Sequence, residues 1–276
     1  MVQLARCYLS HKDEWNRSAA PGTPQNAGQQ KQATSSVQIE QKIFMTFDSA
    51  MKAFIRPIMI ACDDDYYQFI GSGTAFVCQY RGHFFVVCAR HTWENMGITI
   101  ENFRIFIPGY DLELPFDYEA IFGPEERSDL KVLRVNREIM SGNPPAQMSA
   151  LDLDNFAFPS EDFKKGSMFL AVGYPQCGRE FHYDTKRFIA DLAAFSGTLE
   201  GELTDAVITM RTDFGHVDDI DGLSGSPVFV SGDPHLFAGV VIRAGQETGL
   251  LHFIHGACLI HAMDTLVDLP TELIMN

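Results

Sequence analysis

Gly222-Leu223-Ser224-Gly225-Ser226-Pro227, followed by the apolar run Val228-Phe229-Val230, sets a serine between two glycines just before a strand-like segment. Glycine tolerates backbone conformations that other residues resist, so such a loop can expose a hydroxyl while turning its own amides inward. A serine hydroxyl is a poor attacking group at neutral pH unless a base takes its proton and backbone donors hold the oxyanion that forms. The chain supplies candidates for the base and its partner upstream. Cys88-Ala89-Arg90-His91-Thr92 places a histidine directly after an apolar run, and Ser128-Asp129-Leu130-Lys131-Val132-Leu133 places an acid directly before one. The order is His, Asp, Ser.

The 276 residues carry 46% hydrophobic side chains, enough for one large domain or two small ones with a substantial core. The net charge of −15 repels phosphate backbones and anionic lipid alike, which argues against nucleic acid and peripheral membrane partners. No apolar stretch approaches the roughly 20 residues that cross a bilayer. Met1 to Arg17 carries Lys12, Asp13, Glu14 and Arg17 without a continuous apolar middle, unlike a secretory signal, so the expected compartment is the cytoplasm.

The 6 cysteines show no repeated spacing and read as reduced, mostly buried thiols. A hairpin turn at Arg81-Gly82 pairs Tyr80 with His83 and sets Cys78 opposite Phe85, not Cys88, which argues against a disulfide there. Cys78, Cys88 and His91 lack the short Cys-x-x-Cys spacing of a zinc site. Asp63-Asp64-Asp65 lacks the alternating ligands of a calcium loop. His252 and His255 point to opposite faces of an extended segment. No metal site and no cofactor are expected.

Residues 18–40 are Ser, Ala, Pro, Gly, Thr, Gln and Asn with almost no large apolar side chain, so 1–42 reads as a disordered tail. Short apolar runs separated by turn residues follow, which favours strands. The expected strands are Phe54–Ala61, Gly73–Tyr80, His83–Ala89, Ile98–Ile107 and Leu130–Val135 in a first set. The second set is Met168–Val172, Phe181–Leu199 with an interruption, Ala206–Arg211, Pro227–Val230, Phe237–Arg243 and Leu251–Ile260. A helix is expected over His261–Ile274. The class is mainly β: two antiparallel six-stranded barrels, 43–150 and 151–276, with a cleft between them and a short C-terminal helix.

At these residues the chain resembles the trypsin-like (chymotrypsin-fold) serine peptidases, in particular their bacterial members without disulfides. Four stretches carry the resemblance: Gly71-Ser72-Gly73-Thr74-Ala75-Phe76, Val86-Val87-Cys88-Ala89-Arg90-His91, Asp129-Leu130-Lys131-Val132-Leu133 and Gly222 to Pro227. Weaker echoes lie at Val172-Gly173-Tyr174-Pro175 and Gly239 to Gly245, so the likeness spans roughly 50–262. The intervals, 38 (129 − 91) and 95 (224 − 129), keep the order that the family uses.

The resemblance implies that Ser224 attacks a peptide carbonyl and that His91 moves the proton. It implies that Asp129 orients His91 and that the amides of Gly222 and Ser224 hold the oxyanion. It gives substrate backbone to the strand of Ile242, Arg243 and Ala244, and an ungapped count places Asp218 at the base of the specificity pocket. Asp218 favours a basic residue before the cleaved bond, whereas Arg243 points toward acidic side chains. Three departures stand out. Leu223 occupies the place of an acid that pairs with a freshly cut N-terminus in digestive enzymes, no cysteine follows His91, and Ser226 replaces a glycine.

The expectation is therefore a serine endopeptidase acting on a polypeptide substrate through an acyl-enzyme. Two rivals are a catalytically silent peptide-binding or scaffold module, to which Leu223 gives weight, and a protease effector activated by a regulatory protein partner.

Overall fold

The computed structural model describes residues 51–61, 69–94, 102–105, 116–122, 129–136, 149–155, 163–185, 187–204, 206–215, 217–231 and 233–269. The expected tail and the Asp63-Asp64-Asp65 run lie outside the described residues. From Ala53 onward the chain forms one compact unit.

The first set of strands is β1 (Ile55–Ala61), β2 (Phe69–Tyr80), β3 (His83–Ala89), β4 (Phe103–Ile105), β5 (Phe116–Phe122) and β6 (Leu130–Val135), joined by the two-residue β7 (Leu151–Asp152). The antiparallel order is β4-β1-β2-β3-β6-β5, with β7 parallel to β2. The second set begins with β8 (Met168–Gly173). A hairpin of β9 (Glu180–His182) and β10 (Arg187–Ile189) follows, interrupted by a 3-10 turn. Then come β11 (Ala193–Thr204), β12 (Val207–Thr212), β13 (Pro227–Val230), β14 (Asp233–Gly245) and β15 (Leu250–His255). Strands β11-β12-β15-β14-β13-β8 close into a barrel.

Numbered one to six within each set, the strands share a topology. Pairings 1–2, 2–3, 3–6, 5–6 and 1–4 occur in the first set. The same pairings recur in the second, which adds 4–5 to close. One chain has thus built the same winding twice.

Packing explains why the first set reads as continuous apolar runs and β11 does not. Inward residues of β1, β2, β3, β4 and β6, among them Ile58, Val77, Val86, Phe103 and Leu133, form one core. The opposite face of β2 is also covered: Phe76 meets Phe237 of β14 with ring centroids 5.8 Å apart, and Phe237 meets Phe229 of β13 at 6.0 Å. Each such buried ring contributes about 2–3 kcal/mol, so this aromatic contact welds the two halves. β11, by contrast, alternates buried and exposed residues with one face in solvent.

The turn at Arg81 and Gly82 has positive φ at both residues, 45° and 75°, the twist that matches a two-residue hairpin. It sets the expected register, Tyr80 opposite His83 and Cys78 opposite Phe85. Cys78, Cys88, Cys177 and Cys258 are free thiols.

Three elements differ from expectation, the first being the short β7, which the expected strands did not include. β5 was not anticipated, because Asp117 and Glu119 interrupt its apolar residues and Pro115 and Pro124 flank it. The C-terminal helix, α2, runs Gly256–Val267, earlier than expected, and takes over part of the segment assigned to a strand. His255 starts it by accepting the Ala257 amide on Nδ1 at 3.0 Å, and Leu259, Ala262, Met263 and Leu266 then face inward at helical spacing.

α2 packs on β5 and β6 as well as on β14 and β15, so it bridges both sets. Arg134 of β6, 1% exposed, donates through Nη1 to the carbonyls of Leu266 and Leu269 at 2.6 and 2.9 Å. A cation there answers the negative end of the helix dipole and the last unpaired carbonyls together. Tyr80 and Arg81 at the hairpin turn both reach Asp264 at 3.0 Å. Among the described residues no helix is long and apolar enough to cross a membrane.

Candidate active site

β3 ends at Ala89, and one residue later the short helix α1 (His91–Glu94) begins. β3 pairs with β6 through Ala89 opposite Leu130, which brings Asp129 alongside the start of α1. The Arg90 amide donates to the Asp129 carbonyl at 2.8 Å. The carboxylate then spends both oxygens on one residue: Oδ1 accepts the His91 amide at 2.9 Å and Oδ2 lies 2.6 Å from His91 Nδ1. A carboxylate oxygen accepts, so the proton on that edge of the ring sits on Nδ1 and Nε2 is left to act as a base. Thr92 Oγ1 donates to the Ala89 carbonyl at 2.6 Å, and Ser72 Oγ donates to the Thr92 carbonyl, fixing the turn from behind.

Ser224 lies on the loop that enters β13, between Gly222 at φ 89° and Gly225 at φ 91°. The loop is held from the first barrel. The Thr74 amide of β2 donates to the Ser224 carbonyl at 2.8 Å, and Thr74 Oγ1 donates to the Gly222 carbonyl at 2.7 Å. A Cβ at Gly225 would overlap the Thr74 carbonyl and come 3.1 Å from the Ala89 amide nitrogen. The serine loop therefore abuts the end of β3, from which His91 emerges. The Ser224 hydroxyl itself donates to the Ile242 carbonyl at 3.4 Å, a long bond, and is not hydrogen-bonded to His91.

The amides of the loop are set by their own peptide planes. In a trans peptide the carbonyl and the following N–H point in opposite directions. The Asp221 carbonyl accepts the Gln176 amide at 2.5 Å, so the Gly222 N–H faces away from Gln176. The Leu223 carbonyl accepts the Ser226 amide at 3.0 Å, so the Ser224 N–H is likewise turned out. Neither N–H has an acceptor among the described residues. Both amides, on either side of Leu223, are thus free of partners among the described residues and available as donors.

The substrate-strand candidates lie on β14. β13 pairs with β14 only as far as Val240, and the Gly225 and Ser226 loop takes up the carbonyl and amide of Val241. β15 covers the other edge, with Arg243 opposite His252 and Ala244 opposite Leu251, and the register slips at Ile242. Ile242, Arg243 and Ala244 thus follow the point at which β13 has left the sheet, and Arg243 is exposed. Asp218 is exposed on the loop before Ser224, without an ion pair or hydrogen bond among the described residues. Ile220 and Leu223 of the same loop turn into the barrel core, and Gln246 Nε2 ties the Val217 carbonyl at 2.6 Å.

His252 and His255 serve separate contacts. His252 Nδ1 meets Thr209 Oγ1 at 2.9 Å, and His255 caps α2. Two residues at the site were assigned no role from the sequence: Thr74, quoted only as part of the stretch Gly71 to Phe76, which accepts the Tyr174 amide at 2.9 Å, and Arg179, whose guanidinium lies against Gly222. Both work through backbone carbonyls and amides, which leave no trace in residue type.

Comparison with solved structures settles the architecture. Human heparin binding protein superposes with a TM-score of 0.54 at 15% identity, covering 80% of this chain and 94% of that one. The fold is that of the chymotrypsin-like proteins. An atomic-resolution structure of the same protein gives 0.52 at 16% identity, and a mutant of it 0.52 at 15%, with the same coverage. No protein-family model matches the sequence. No curated protein matches it.

Proposed function

We propose that the protein is a serine endopeptidase of the trypsin-like kind, using Ser224, His91 and Asp129. The observation that carries this reading is the Asp129 carboxylate bound twice to His91, beside a loop whose Gly222 and Ser224 amides are unpaired. In the chymotrypsin fold that combination is a base, its orienting acid and an oxyanion site around one hydroxyl.

The reaction begins when the Ser224 hydroxyl turns from the Ile242 carbonyl to His91 Nε2. Hydrogen bonds of this kind commonly tighten only when substrate is present. His91 takes the proton as Ser224 Oγ attacks the peptide carbonyl, and the oxyanion falls onto the two amides. The C–N bond then breaks, His91 gives its proton to the departing amine, and an acyl group remains on Ser224. Water, deprotonated by His91, attacks the ester, and the hydroxyl is restored as the acid leaves. Asp129 stabilises the imidazolium at each stage without taking its proton. The chemistry calls for no metal or organic cofactor.

An extended substrate pairs with β14 at Ile242 to Ala244, where β13 no longer occupies the edge. A preference for Lys or Arg before the cleaved bond takes its support from the acidic loop of Asp218, Asp219 and Asp221. Cleavage only after Glu or Phe overturns it. The four cysteines among the described residues are free thiols, which suits a disulfide-free, bacterial-type member working in a reducing compartment such as the cytoplasm.

A fluorophosphonate probe tests the reading. Labelling of the wild type that is lost in Ser224→Ala and His91→Ala supports it, and a folded wild type that stays unlabelled removes it. The second reading, a silent peptide-binding module or one awaiting a regulatory partner, draws on the Ser224 hydroxyl resting on Ile242. An extended peptide bound without turnover, or labelling seen only after a cell extract is added, decides for it.

A further inference from the structure

We infer that Arg179 is the positioning residue that keeps the Gly222 and Ser224 amides turned outward, in place of an ion pair to the residue before the nucleophile. The inference rests on the peptidase reading for its chemistry. Leu223 holds the position before Ser224, is 1% exposed, and packs in the second barrel core with Phe214 and Ile220. It offers no charge to clamp the loop.

Arg179 supplies the clamp from the other side. It ends the turn that leaves β8, and its guanidinium donates to carbonyls on three separate segments. Nη2 donates to Gly222 at 3.3 Å, to Gly73 at 3.1 Å and to Tyr174. Nη1 donates to Ser72, and Nε to Pro175 at 3.2 Å. The first barrel, the β8 turn and the serine loop thus share one planar fork. The two N–H groups of Nη2 are shared among three carbonyls while Nη1 and Nε take one each, a spread of donors over a planar group that a lysine cannot reproduce.

The clamp bears on the peptide that lies between the two that aim the amides, and through the Gln176 turn on the first of them. The Arg179 amide donates to the Gln176 carbonyl at 3.2 Å, folding the turn whose Gln176 amide holds the Asp221 carbonyl. The same side chain fixes the carbonyl of Gly222, the next peptide along. Gly222 is shaped for this approach: a Cβ there would lie 2.6 Å from Nη2 and 2.9 Å from the Tyr174 carbonyl. Burial draws the guanidinium down to about 10, which leaves it charged at neutral pH. A largely buried cation, held by carbonyl dipoles with the Asp219 charge as a lesser support, is costly to keep unless the arrangement it enforces is needed.

The test compares wild type, Arg179→Met and Arg179→Lys by fluorophosphonate labelling rate, by kcat and KM on a peptide the wild type cleaves, and by hydrogen exchange of the Gln176 and Ser226 amides. Arg179→Met is expected to label and turn over about 100-fold more slowly, the scale of losing one oxyanion donor, with KM nearly unchanged. Arg179→Lys should fall between. Exchange at Gln176 and Ser226 should quicken in both variants while amides of β11 and β12 keep their protection.

Folded variants with wild-type kcat and unchanged exchange overturn the inference. So does a rise in KM at constant kcat, and so does failure of both variants to fold, since each makes Arg179 a strut and not a positioning residue. An unlabelled wild type removes the peptidase reading by itself. Exchange at Gln176 and Ser226 then decides the placement of Arg179 alone.

Discussion

The amide of Thr74 donates to the carbonyl of Ser224 at 2.8 Å, so the loop of the second barrel that carries the candidate nucleophile is fastened to a strand of the first. The Thr74 hydroxyl adds two bonds, one to the Gly222 carbonyl and one from the Tyr174 amide. Thr74→Val keeps the shape and the main-chain bond but leaves the Tyr174 amide without its acceptor and the Gly222 carbonyl with Arg179 alone. A loss of about 1–3 kcal/mol is expected from urea denaturation, with slower fluorophosphonate labelling. Unchanged labelling at reduced stability would separate the hydroxyl from the chemistry.

Asp129→Asn tests the ring's orientation. An amide that presents its NH2 to Nδ1 favours the tautomer with the proton on Nε2, which cannot act as the base. Turnover should fall by about four orders of magnitude while the fold persists, as judged by circular dichroism. A variant with near wild-type kcat would mean that Asp129 is only a cap for α1.

Leu223→Asp restores the acid seen in digestive enzymes, but in this chain it drives a carboxylate into the core. The expected outcome is a loss of several kcal/mol or failure to fold, with no gain of activity. Thermal denaturation reads it directly. A stable variant with higher turnover would show that the loop can swing to an ion pair after all.

Arg134→Met removes the guanidinium that closes α2 and leaves the Leu266 and Leu269 carbonyls without that donor. A stability loss of about 2–3 kcal/mol is expected, for a hydrogen bond from a charged group in a buried place. Proteolysis should appear first within α2. Equal stability to wild type would mean that packing alone seats the helix.

His252 gives a pH dependence. Burial, and secondly the charge of Arg243, lower its pKa from the ordinary 6.5. The unfolded chain therefore takes up this proton at higher pH than the folded protein does. The contribution to stability is complete above 6.5 and is lost as pH falls through the lowered folded value. The drop in urea midpoint between pH 7.5 and 5.5 should be larger in wild type than in His252→Gln. Equal drops would assign the acid sensitivity to other groups.

Local chemistry made much of the fold legible. Arg81-Gly82 fixed a hairpin and its register because few residues accept two positive φ angles in succession. The apolar runs of β1, β3 and β6 were visible because both faces of those strands are covered. β5 escaped because Asp117 and Glu119 break its pattern, and the start of α2 escaped because a histidine, an uncommon cap, performs the capping at His255. In the site, His91 and Asp129 announced themselves by standing at the ends of strands that turn out to be neighbours. Thr74 and Arg179 did not, since their partners are carbonyls and amides that every residue possesses.

The reach of Arg134 to Leu266 and Leu269 spans 132 and 135 positions along the chain. A ribosome making this protein releases the first barrel long before it makes the helix that the barrel needs. Until residues 256–267 emerge, a buried cation has nothing to hold, and the face that later receives α2 stays wet. The face of β5 and β6 that α2 covers is thereby left open until that helix has been made.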